Sequence, residues 1–298
     1  IMKTDSRPKI LPEDPHNQTL VSNVFSHGWK NQDPAECYNL VVMGGGTGGL
    51  VTAAGAAGLG ARVALIERHL LGGDCLNTGC VPSKTLIRSA RSAQDVRSAR
   101  NFGVRVPEDV QVDFPAVMER MRKLRARISS HDSARRFRDL GIDVFLGEGR
   151  FTGRDSIQVA GKTLRFGRAV IATGARAWVP RIEGLDETGY LTNETVFSLA
   201  ERPERFAVIG GGPLGCELAQ AFHRLGSRVA LLQTGSHLLE REDDDAAEIL
   251  QTGFLEEGIQ LILNAKARRV SRTGEGKIVA YEVHGVEHQF LVDEILIA

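Results

Sequence analysis

The sequence predicts an α/β fold, and three observations favour it. An apolar, strand-like stretch runs into a glycine-rich turn and then into a helix-forming stretch near Gly44. The same succession returns near Gly210. Between the two copies lie short strand-like segments broken by glycines. Because strands that alternate with helices build parallel sheets covered by helices, we predict two Rossmann-like, three-layer nucleotide-binding domains, each with a β-meander.

The composition is that of an ordinary globular protein. The chain has 298 residues, enough for two domains, of which 42% are hydrophobic and 25% are charged. Lys plus Arg and Asp plus Glu both number 37, so no excess of charge points to a nucleic acid or an acidic membrane surface. Four cysteines do not resemble a secreted disulfide framework, and no apolar run approaches a membrane span. We therefore expect a cytoplasmic enzyme without nucleic-acid or membrane partners.

The predicted domain limits follow from these patterns. Residues 1–38 are polar, contain four prolines and lack the layout of a signal peptide, so we assign them to an N-terminal extension. Residues 39–180 hold the first glycine-rich turn, and residues 181–298 hold the second. A connector with prolines and glycines at 179–205 leads into the second domain.

The first glycine-rich turn matches a dinucleotide-binding pattern. Its glycines have the spacing G-x-G-x-x-G and are Gly44, Gly46 and Gly49. A predicted strand at 38–43 precedes them, a small-residue helix at 50–58 and a strand at 62–66 follow, and Glu67 stands 18 positions after the last glycine. The glycines permit a tight turn and close approach to a pyrophosphate, and the carboxylate suits a ribose 2′-hydroxyl. We predict a nucleotide at this turn.

A pair of cysteines, Cys75 and Cys80, precedes another predicted helix. Pro82 suits a first helical turn, and residues 83–96 continue it with apolar residues at the helical period. Cys80 is thus predicted just outside a helix N-terminus, where unpaired N–H groups and the helix dipole favour the thiolate and lower the pKa of the thiol. Glycines at 72, 73 and 79 let the backbone turn tightly enough to bring the two sulfurs together, or to press the loop against a flat cofactor.

Two structural roles compete with a redox role for these cysteines. A stabilising disulfide that closes so small a loop would constrain the unfolded chain little. A zinc site needs two or more further ligands, and no nearby Cys or His pair supplies them. We therefore predict a redox-active pair.

The middle of the chain carries a basic stretch and then a strand region. Residues 114–140 read as one amphipathic helix whose arginines form a solvated face, since the chain is neutral overall. Short strands at 144–166 predict a β-meander, and a buried strand at 169–174 ends in small residues. Small residues at a strand end allow close approach to a ligand, although an ordinary strand end has the same pattern.

The second glycine-rich turn repeats the first. Its glycines lie 166 positions after their counterparts and are Gly210, Gly212 and Gly215. A strand at 206–209 precedes them, and a helix at 216–225 and a strand at 228–232 follow. Such an internal duplication implies two nucleotide sites. Gln233 stands where the first copy has its acid. The amide of Gln233 can hydrogen-bond to a 2′-hydroxyl, but the side chain has no positive charge to bind a 2′-phosphate. The sequence therefore favours NADH over NADPH.

Together, the two turns, the G-G-x-C-x-N-x-G-C-x-P-S-K run and the A-T-G strand end resemble the class I pyridine nucleotide-disulfide oxidoreductases. The resemblance covers residues 39–298. The ending Val-Pro-Ser-Lys of the cysteine run is most similar to mercuric reductases, with dihydrolipoamide dehydrogenases close behind.

The resemblance implies FAD at the first turn and NADH or NADPH at the second. The residues implied for the pyrophosphate and adenosine ribose of FAD are Gly44, Gly46, Thr47, Gly49 and Glu67. The cysteine run and the strand end complete the implied flavin set with Gly73, Asp74, Ala172, Thr173 and Gly174. The set implied for the nicotinamide nucleotide is Gly210, Gly212, Gly215 and Gln233.

The implied catalytic residues are Cys75, Cys80, Lys84 and Glu217. By resemblance, Cys80 is the thiolate near the flavin and Cys75 is the thiol that exchanges with substrate. Lys84 is implied to lie near flavin N5 and to pair with Glu217, the alternative being two unrelated surface charges. Electrons are implied to pass from the nicotinamide to the flavin, to the Cys75–Cys80 disulfide, and on to a mercuric ion or a disulfide substrate.

Some positions depart from the family pattern. Asp74 replaces a threonine or serine and places a negative charge near the flavin phosphates. Pro213 replaces the tyrosine that gates the nicotinamide pocket in some members, so we expect no such gate. Cys37 and Cys216 lie outside the motif and are interpreted as ordinary, at least partly buried thiols.

The ending at 292–298 resembles the strand after which family members return to the FAD domain and then build a dimerisation domain. We therefore expect an N-terminal fragment that binds FAD weakly or not at all, lacks turnover by itself, and derives from a homodimeric parent. Dihydrolipoamide dehydrogenase is the alternative within the family. Outside it, the chain could be a non-catalytic nucleotide-binding redox sensor, or its two cysteines could bind a metal without catalysis.

Overall fold

The computed structural model describes residues 10–25, 28–107 and 109–298. These residues form two compact units, each with its own parallel sheet. The first unit contains the residues up to Pro82 and Met121–Arg176, and the second contains Ser83–Arg120 and Ala177–Ala298. The domain limits drawn from the sequence at residues 38 and 180 stay predictions.

The helices and strands follow one another in the alternating order that the sequence predicts. The helices are α1 (Pro15–Val24), α2 (Thr47–Gly58), α3 (Gly73–Asn77), α4 (Cys80–Ser98), α5 (Phe114–Ser129), α6 (Ala134–Asp139), α7 (Leu185–Thr188), α8 (Pro213–Arg224) and α9 (Asp244–Glu257). Short 3₁₀ turns lie at Ala99–Phe102, Ser130–Asp132 and Val196–Ser198. The strands are β1 (Tyr38–Met43), β2 (Val63–Glu67), β3 (Asp143–Leu146), β4 (Gly149–Phe151), β5 (Ser156–Val159), β6 (Lys162–Ile171), β7 (Arg205–Ile209), β8 (Arg228–Leu232), β9 (Gln260–Ile262), β10 (Ala265–Thr273), β11 (Gly276–Val283), β12 (Val286–Val292) and β13 (Glu294–Ile297).

The first unit is built on a six-stranded sheet of order β3-β2-β1-β6-β5-β4. β3, β2, β1 and β6 run parallel, whereas β4, β5 and β6 form an antiparallel meander. β6 belongs to both parts, because its first residues pair with β5 and its last residues pair with β1. In the central register, Val42 lies opposite Leu65 and Val170.

Both faces of this sheet are buried. Successive side chains of a strand point to opposite faces, and here Val42 and Leu65 join a core that also contains residues of α1 and α2. Their neighbours Val41 and Ile66 join a second core together with residues of β5 and β6. Parallel strands that are buried on both sides have continuous apolar sequences. β1 and β2 were predicted from such apolar runs.

The sequence misjudged two features of this sheet. The meander predicted at 144–166 begins only at β4, because β3 pairs in parallel with β2 at the edge of the sheet. The strand predicted as buried at 169–174 is the end of the long strand β6, and its last residue Ile171 is 68% exposed because the chain leaves the sheet there.

The second unit contains a parallel sheet of order β13-β7-β8-β9 and an antiparallel meander of order β10-β11-β12. Ala207, Leu232 and Ile295 of the sheet share a hydrophobic core with Val279 and Tyr281 of the meander. The two units thus repeat one plan, a parallel sheet combined with a meander. This confirms the predicted fold class of two Rossmann-like, three-layer units.

Two helices differ from their predicted limits for reasons visible in the backbone. The helix predicted at 114–140 is broken, because the Ser133 hydroxyl caps α6 by accepting a hydrogen bond from the Arg136 N–H at 3.3 Å. α4 begins at Cys80 itself, so Cys80 is the first residue of the helix and does not lie just outside it.

α1 lies in the part of the chain that the sequence analysis treated only as a polar extension. Asp14 caps it, accepting a hydrogen bond from the Asn17 N–H at 2.7 Å, and Pro15 occupies its first turn. Leu20 and Val24 are fully buried in the first unit's core. The pair Asp14-Pro15 was a usable helix signal, and the surrounding prolines obscured it.

Among the residues that the structure describes, no helix is both long enough and apolar enough to cross a membrane.

Candidate functional site

The first glycine turn leaves no room for a side chain at Gly44 or at Gly49. Gly44 has a φ of 108°, and a Cβ added there would lie 2.1 Å from the carbonyl oxygen of Ala172. A Cβ added at Gly49 would lie 1.8 Å from the carbonyl oxygen of Gly44. The glycine spacing therefore permits the backbone itself to pack at the carboxyl ends of β1 and β6.

The second turn reproduces these contacts. Gly210 has a φ of 120°, and a Cβ there would lie 2.0 Å from the carbonyl oxygen of Ala298, while a Cβ at Gly215 would lie 2.0 Å from the Gly210 oxygen. Ala172 donates its N–H to the Met43 carbonyl at 2.7 Å, and Ala298 donates to the Ile209 carbonyl at 2.9 Å. The duplication seen in the sequence is thus a duplication of backbone geometry.

The residues at the carboxyl end of the second strand of each repeat also correspond. Glu67 accepts hydrogen bonds from the N–H groups of Gly45 and His69, both at 2.6 Å, and Gln233 accepts one from the Gly211 N–H at 2.8 Å. Both side chains are buried. Glu67 and Gln233 therefore hold the glycine turns in place. The sequence had predicted only that they lie at a ribose.

The glycine turn and the cysteine run pack backbone against backbone. The Gly72 N–H donates to the Gly45 carbonyl at 2.8 Å, and a Cβ at Gly73 would lie 2.6 Å from the Cα of Gly46. Two glycine clusters that are separate in the sequence are thus neighbours in space. This contact brings the cysteines to the edge of the first nucleotide turn.

Cys75 lies on its own short helix, α3, where the sequence indicated only a glycine-rich loop that can turn tightly. α3 forms because Gly72, with a φ of 90°, reverses the chain immediately before it, and the Thr78 N–H closes it on the Asp74 carbonyl at 2.9 Å. Cys75 is half-buried and Cys80 is exposed, and both are free thiols.

The surroundings of Cys75 connect the two motifs. Burial raises the pKa of the Cys75 thiol, and the adjacent Cys80 thiol and the Asp132 carboxyl raise it further, whereas the Thr47 hydroxyl lowers it. Cys75 therefore lies beside both Cys80 and the glycine-turn residue Thr47. The two cysteines and the first glycine turn are thus neighbours, and the redox role of the pair stays a prediction.

The remaining flavin-side residues are accessible. Asp74 is exposed, and its carboxylate accepts a hydrogen bond from the Thr78 hydroxyl at 3.5 Å. Thr173 and Gly174 are exposed at the end of β6. The charge of Asp74 therefore faces solvent in this structure.

Lys84 and Glu217 lie on neighbouring helices of the second unit but form no ion pair between their described side chains, and both are exposed. A cavity of about 140 Å³ between α4 and α8 is lined by Ile87, Ala90, Glu217, Gln220, Ala221 and Arg224. The implied pairing of Lys84 and Glu217 is therefore not formed in this structure. Its role in the full-length protein stays a prediction.

Two cysteines lie outside the site. Cys216 is buried, and burial raises the pKa of its thiol to about 11. Cys37 is exposed, so the expectation that both thiols are at least partly buried is wrong for Cys37.

The sequence analysis missed Asp132 and Arg125. Asp132 lies in the 3₁₀ turn after α5, with its Oδ2 3.1 Å from where a Cβ on Gly72 would stand. Burial raises the pKa of the Asp132 carboxyl, and the positive charges of Arg136 and His131 act against this. The Ser-His-Asp-Ser interruption at 130–133 of the basic stretch was the signal for Asp132, whereas nothing distinguished Arg125 from the arginines around it.

The first turn fits a dinucleotide. The steric contacts at Gly44 and Gly49 leave a bare backbone at the strand ends, with Glu67 at the edge of the turn. A pyrophosphate approaches such a turn closely, and a carboxylate binds ribose hydroxyls. For metal ions, no cluster of three or more His, Cys, Asp or Glu side chains occurs within the described residues.

Comparison with known proteins places the chain in a family. It matches the family described as "Pyridine nucleotide-disulphide oxidoreductase" over residues 38–298, and it belongs to this family. It is 34% identical to a mercuric reductase of Bacillus cereus, in a match that covers 88% of this chain and 41% of that protein. It is 31% identical to a dihydrolipoyl dehydrogenase of Acholeplasma laidlawii, with 88% and 77% covered. The chain thus spans less than half the length of that mercuric reductase.

Solved structures agree with the fold. The HOCl-induced flavoprotein disulfide reductase RclA from Escherichia coli matches with a TM-score of 0.73 and 31% identity, covering 88% of this chain and 56% of that one. The Cu(II) complex of the same reductase matches with a TM-score of 0.73 and 31% identity, covering 87% and 55%.

Proposed function

We propose that this chain is part of an FAD-dependent oxidoreductase that passes electrons from NADH or NADPH to a Cys75–Cys80 disulfide and on to a mercuric ion or a disulfide substrate. One observation carries the proposal. The Cys80 thiol and the Thr47 hydroxyl of the first glycine turn both interact with the Cys75 thiol. A dithiol beside a nucleotide turn is the arrangement that such electron transfer requires.

The residues that would hold FAD are those that the first repeat presents at its strand ends. They are Gly44, Gly46, Thr47, Gly49, Glu67, Gly73, Asp74, Ala172, Thr173 and Gly174. FAD, when bound, supplies the chemistry that converts a hydride into electrons for a disulfide. The chain contributes the positions of the two thiols and a turn in which the crowded positions Gly44 and Gly49 carry no side chain.

We assign the exchange with substrate to Cys75 and the flavin-side position to Cys80, on the strength of the family motif. Cys80 is the first residue of α4. In the present structure Cys80 is also the more exposed of the two thiols. Lys84, one turn further along α4, and Glu217 on α8 complete the proposed catalytic set.

NADH is the proposed electron donor. Gln233 is neutral, and its Oε1 is already bonded to the Gly211 N–H. A 2′-phosphate gains no ion pair from such a side chain, whereas a 2′-hydroxyl can still bond to its amide. The nucleotide would bind at Gly210, Gly212 and Gly215, with Gln233 at its ribose.

The acceptor divides the proposal into two versions. A mercuric ion is favoured because the mercuric reductase of Bacillus cereus is among the more similar relatives. Dihydrolipoamide, with NAD as its oxidant, is the second candidate, supported by the similarity to the Acholeplasma laidlawii dihydrolipoyl dehydrogenase. Steady-state rates of the full-length protein with each pair of substrates separate the two.

The test of the shared mechanism is flavin reduction in the full-length protein. Under anaerobic conditions we expect NADH to bleach the flavin absorbance and to open the disulfide. Cys80→Ser should abolish formation of the disulfide, while Cys37→Ser, which removes an exposed thiol outside the site, should leave it unchanged. Flavin that stays oxidised with both NADH and NADPH contradicts the proposal.

For the full-length protein we also propose a cytoplasmic location and a homodimer. The even charge balance and the low cysteine content support the former. Sedimentation or light scattering of the full-length protein checks the latter, and a monomer at all concentrations would exclude it.

A further inference from the structure

Helix α1 contacts the segment that carries the cysteines. We call residues 71–80 the redox segment. The Leu71 N–H, at its start, donates to the Val24 carbonyl at the end of α1, at 3.1 Å. Val24 and Leu20 of α1 are fully buried in the core that also contains Leu71 and Leu76. α1 is thus part of the support of the redox segment.

Asn77 fixes the redox segment from within. Its Nδ2 donates to the carbonyls of Leu71 at 3.1 Å and Gly73 at 2.9 Å, which ties the end of α3 to its start. Its own backbone carbonyl accepts a hydrogen bond from Arg125 Nη1 at 2.7 Å. Only two residues separate Asn77, at the end of α3, from Cys80, at the start of α4. The hydrogen bond from Arg125 therefore holds the backbone at the junction of the two helices.

Arg125 is a buried cation with few partners. It is 3% exposed, and besides the Asn77 carbonyl its guanidinium donates to Asn17 Oδ1 at 2.8 Å. Its Nε is buried without a hydrogen-bond partner. Burial lowers the pKa of Arg125 to about 10, the Arg122 cation lowers it further, and the Asp14 carboxylate raises it. If Arg125 loses either of its two acceptors, the Asn77 carbonyl or Asn17 Oδ1, its buried positive charge is poorly compensated.

Asn17 is oriented by α1 and the residues before it. Its side-chain Nδ2 donates to the Pro12 carbonyl at 2.8 Å, and its backbone N–H donates to Asp14 Oδ1 at 2.7 Å. It is 3% exposed. Because Nδ2 is engaged, Oδ1 faces Arg125 in a fixed direction.

We propose that Asn17 is a positioning residue for the Cys75–Cys80 pair and acts through Arg125 on the Asn77 carbonyl. The inference rests on the proposed function, because it concerns the same disulfide. By holding the end of α3 against the start of α4, the series Asn17, Arg125 and Asn77 raises the effective concentration of one thiol at the other.

The reaction that reports on this role is thiol-disulfide exchange with dithiothreitol. Oxidised dithiothreitol takes two electrons and two protons from the thiols of Cys75 and Cys80; its own S–S bond breaks and an Sγ–Sγ bond forms in the protein. Asn17→Ala leaves Arg125 Nη2 buried without its acceptor and loosens the redox segment. Because a hydrogen bond to a buried charge is worth at least a tenfold step, we expect the equilibrium constant for disulfide formation to fall about tenfold.

The experiment is a redox titration of the full-length protein without pyridine nucleotide. Trapped thiols are counted by mass in the tryptic peptide 69–84, which contains both cysteines. The matched control is Asn23→Ala, which removes a hydrogen bond from the same helix to Ser129 at 2.9 Å, outside the redox segment. Asn17→Asp keeps an oxygen for Arg125, so we expect it and the control to stay within about twofold of the parent.

The outcomes separate the hypotheses. A tenfold loss in Asn17→Ala, with rescue in Asn17→Asp and no change in Asn23→Ala, supports the positioning role. An unchanged equilibrium in Asn17→Ala, or an equal change in Asn23→Ala, overturns it. If Asn17→Ala does not fold, Asn17→Ser is titrated in its place, and the same criteria hold. A parent protein without any reversible disulfide overturns the proposed function as well, whereas a disulfide indifferent to Asn17 overturns this inference alone.

Discussion

Gly48 and Gly49 provide a matched pair for testing the steric demand of the first glycine turn. Both lie in the first turn of α2. A Cβ added at Gly49 would lie 1.8 Å from the Gly44 carbonyl oxygen, whereas a Cβ added at Gly48 meets nothing within 4 Å. The two substitutions to alanine therefore share the same change in helix propensity and differ in the contact.

Helix propensity and steric overlap have opposite effects on stability at Gly49. Alanine is favoured over glycine inside a helix by about 1 kcal/mol, so Gly48→Ala should raise the free energy of unfolding by about 0.5–1 kcal/mol. At Gly49 the new methyl group must displace a backbone oxygen, and such overpacking costs about 3 kcal/mol at the upper end of its usual range. We expect a net loss of about 2 kcal/mol for Gly49→Ala, hence a difference of about 3 kcal/mol between the variants.

Urea unfolding of each variant, followed by circular dichroism, measures this difference. In the second turn, a Cβ at Gly215 would lie 2.0 Å from the Gly210 oxygen, so Gly215→Ala should lose a similar amount of unfolding free energy to Gly49→Ala. A gap below about 1 kcal/mol between Gly48→Ala and Gly49→Ala would refute the steric account, because it would mean that the backbone relaxes around the methyl group.

Three further predictions concern charges and the nucleotide. Burial raises the pKa of Asp132 in the folded state, so the folded protein holds this proton to a higher pH and loses stability as the pH rises through that pKa. Asp132→Asn should therefore raise the free energy of unfolding above that of the parent, and by more at about pH 7 than at about pH 4. An equal increase at both pH values would contradict a raised pKa for Asp132. The same substitution removes a carboxyl that raises the pKa of Cys75, so alkylation of Cys75 at a fixed neutral pH should accelerate; an unchanged rate with Cys37 as internal reference would count against it. Gln233→Glu should weaken NADPH relative to NADH in binding titrations of the full-length protein, and equal effects on both nucleotides would mean that Gln233 lies away from the 2′ position.

The sequence predicted what depends on local pattern. The glycine spacing around Gly44 and Gly210 fixes backbone contacts that are the same in both repeats, so the two turns, their strands and the fold class were predictable. Glu67 and Gln233 were identified by their distance from the glycines. Their hydrogen bonds to Gly45 and Gly211 depend on tertiary packing and were not predictable.

The features that could not be predicted from the sequence lack a distinctive local signature. Arg125 and Asn17 are separated by 108 positions, and their hydrogen bond has no local signature. β3 was assigned to the meander because a parallel edge strand and a meander strand have the same short apolar pattern. α3 was missed because a five-residue helix lies below the length at which periodicity can be detected.

We propose above that Cys75 and Cys80 form a disulfide that accepts electrons from a reduced pyridine nucleotide. The most direct measurement is the mass of the tryptic peptide 69–84, after thiol trapping, from full-length protein with bound FAD before and after anaerobic addition of NADH. We predict a peptide without trapped thiols beforehand and one with two trapped thiols afterwards. An unchanged peptide after complete oxidation of the added NADH would contradict the claim.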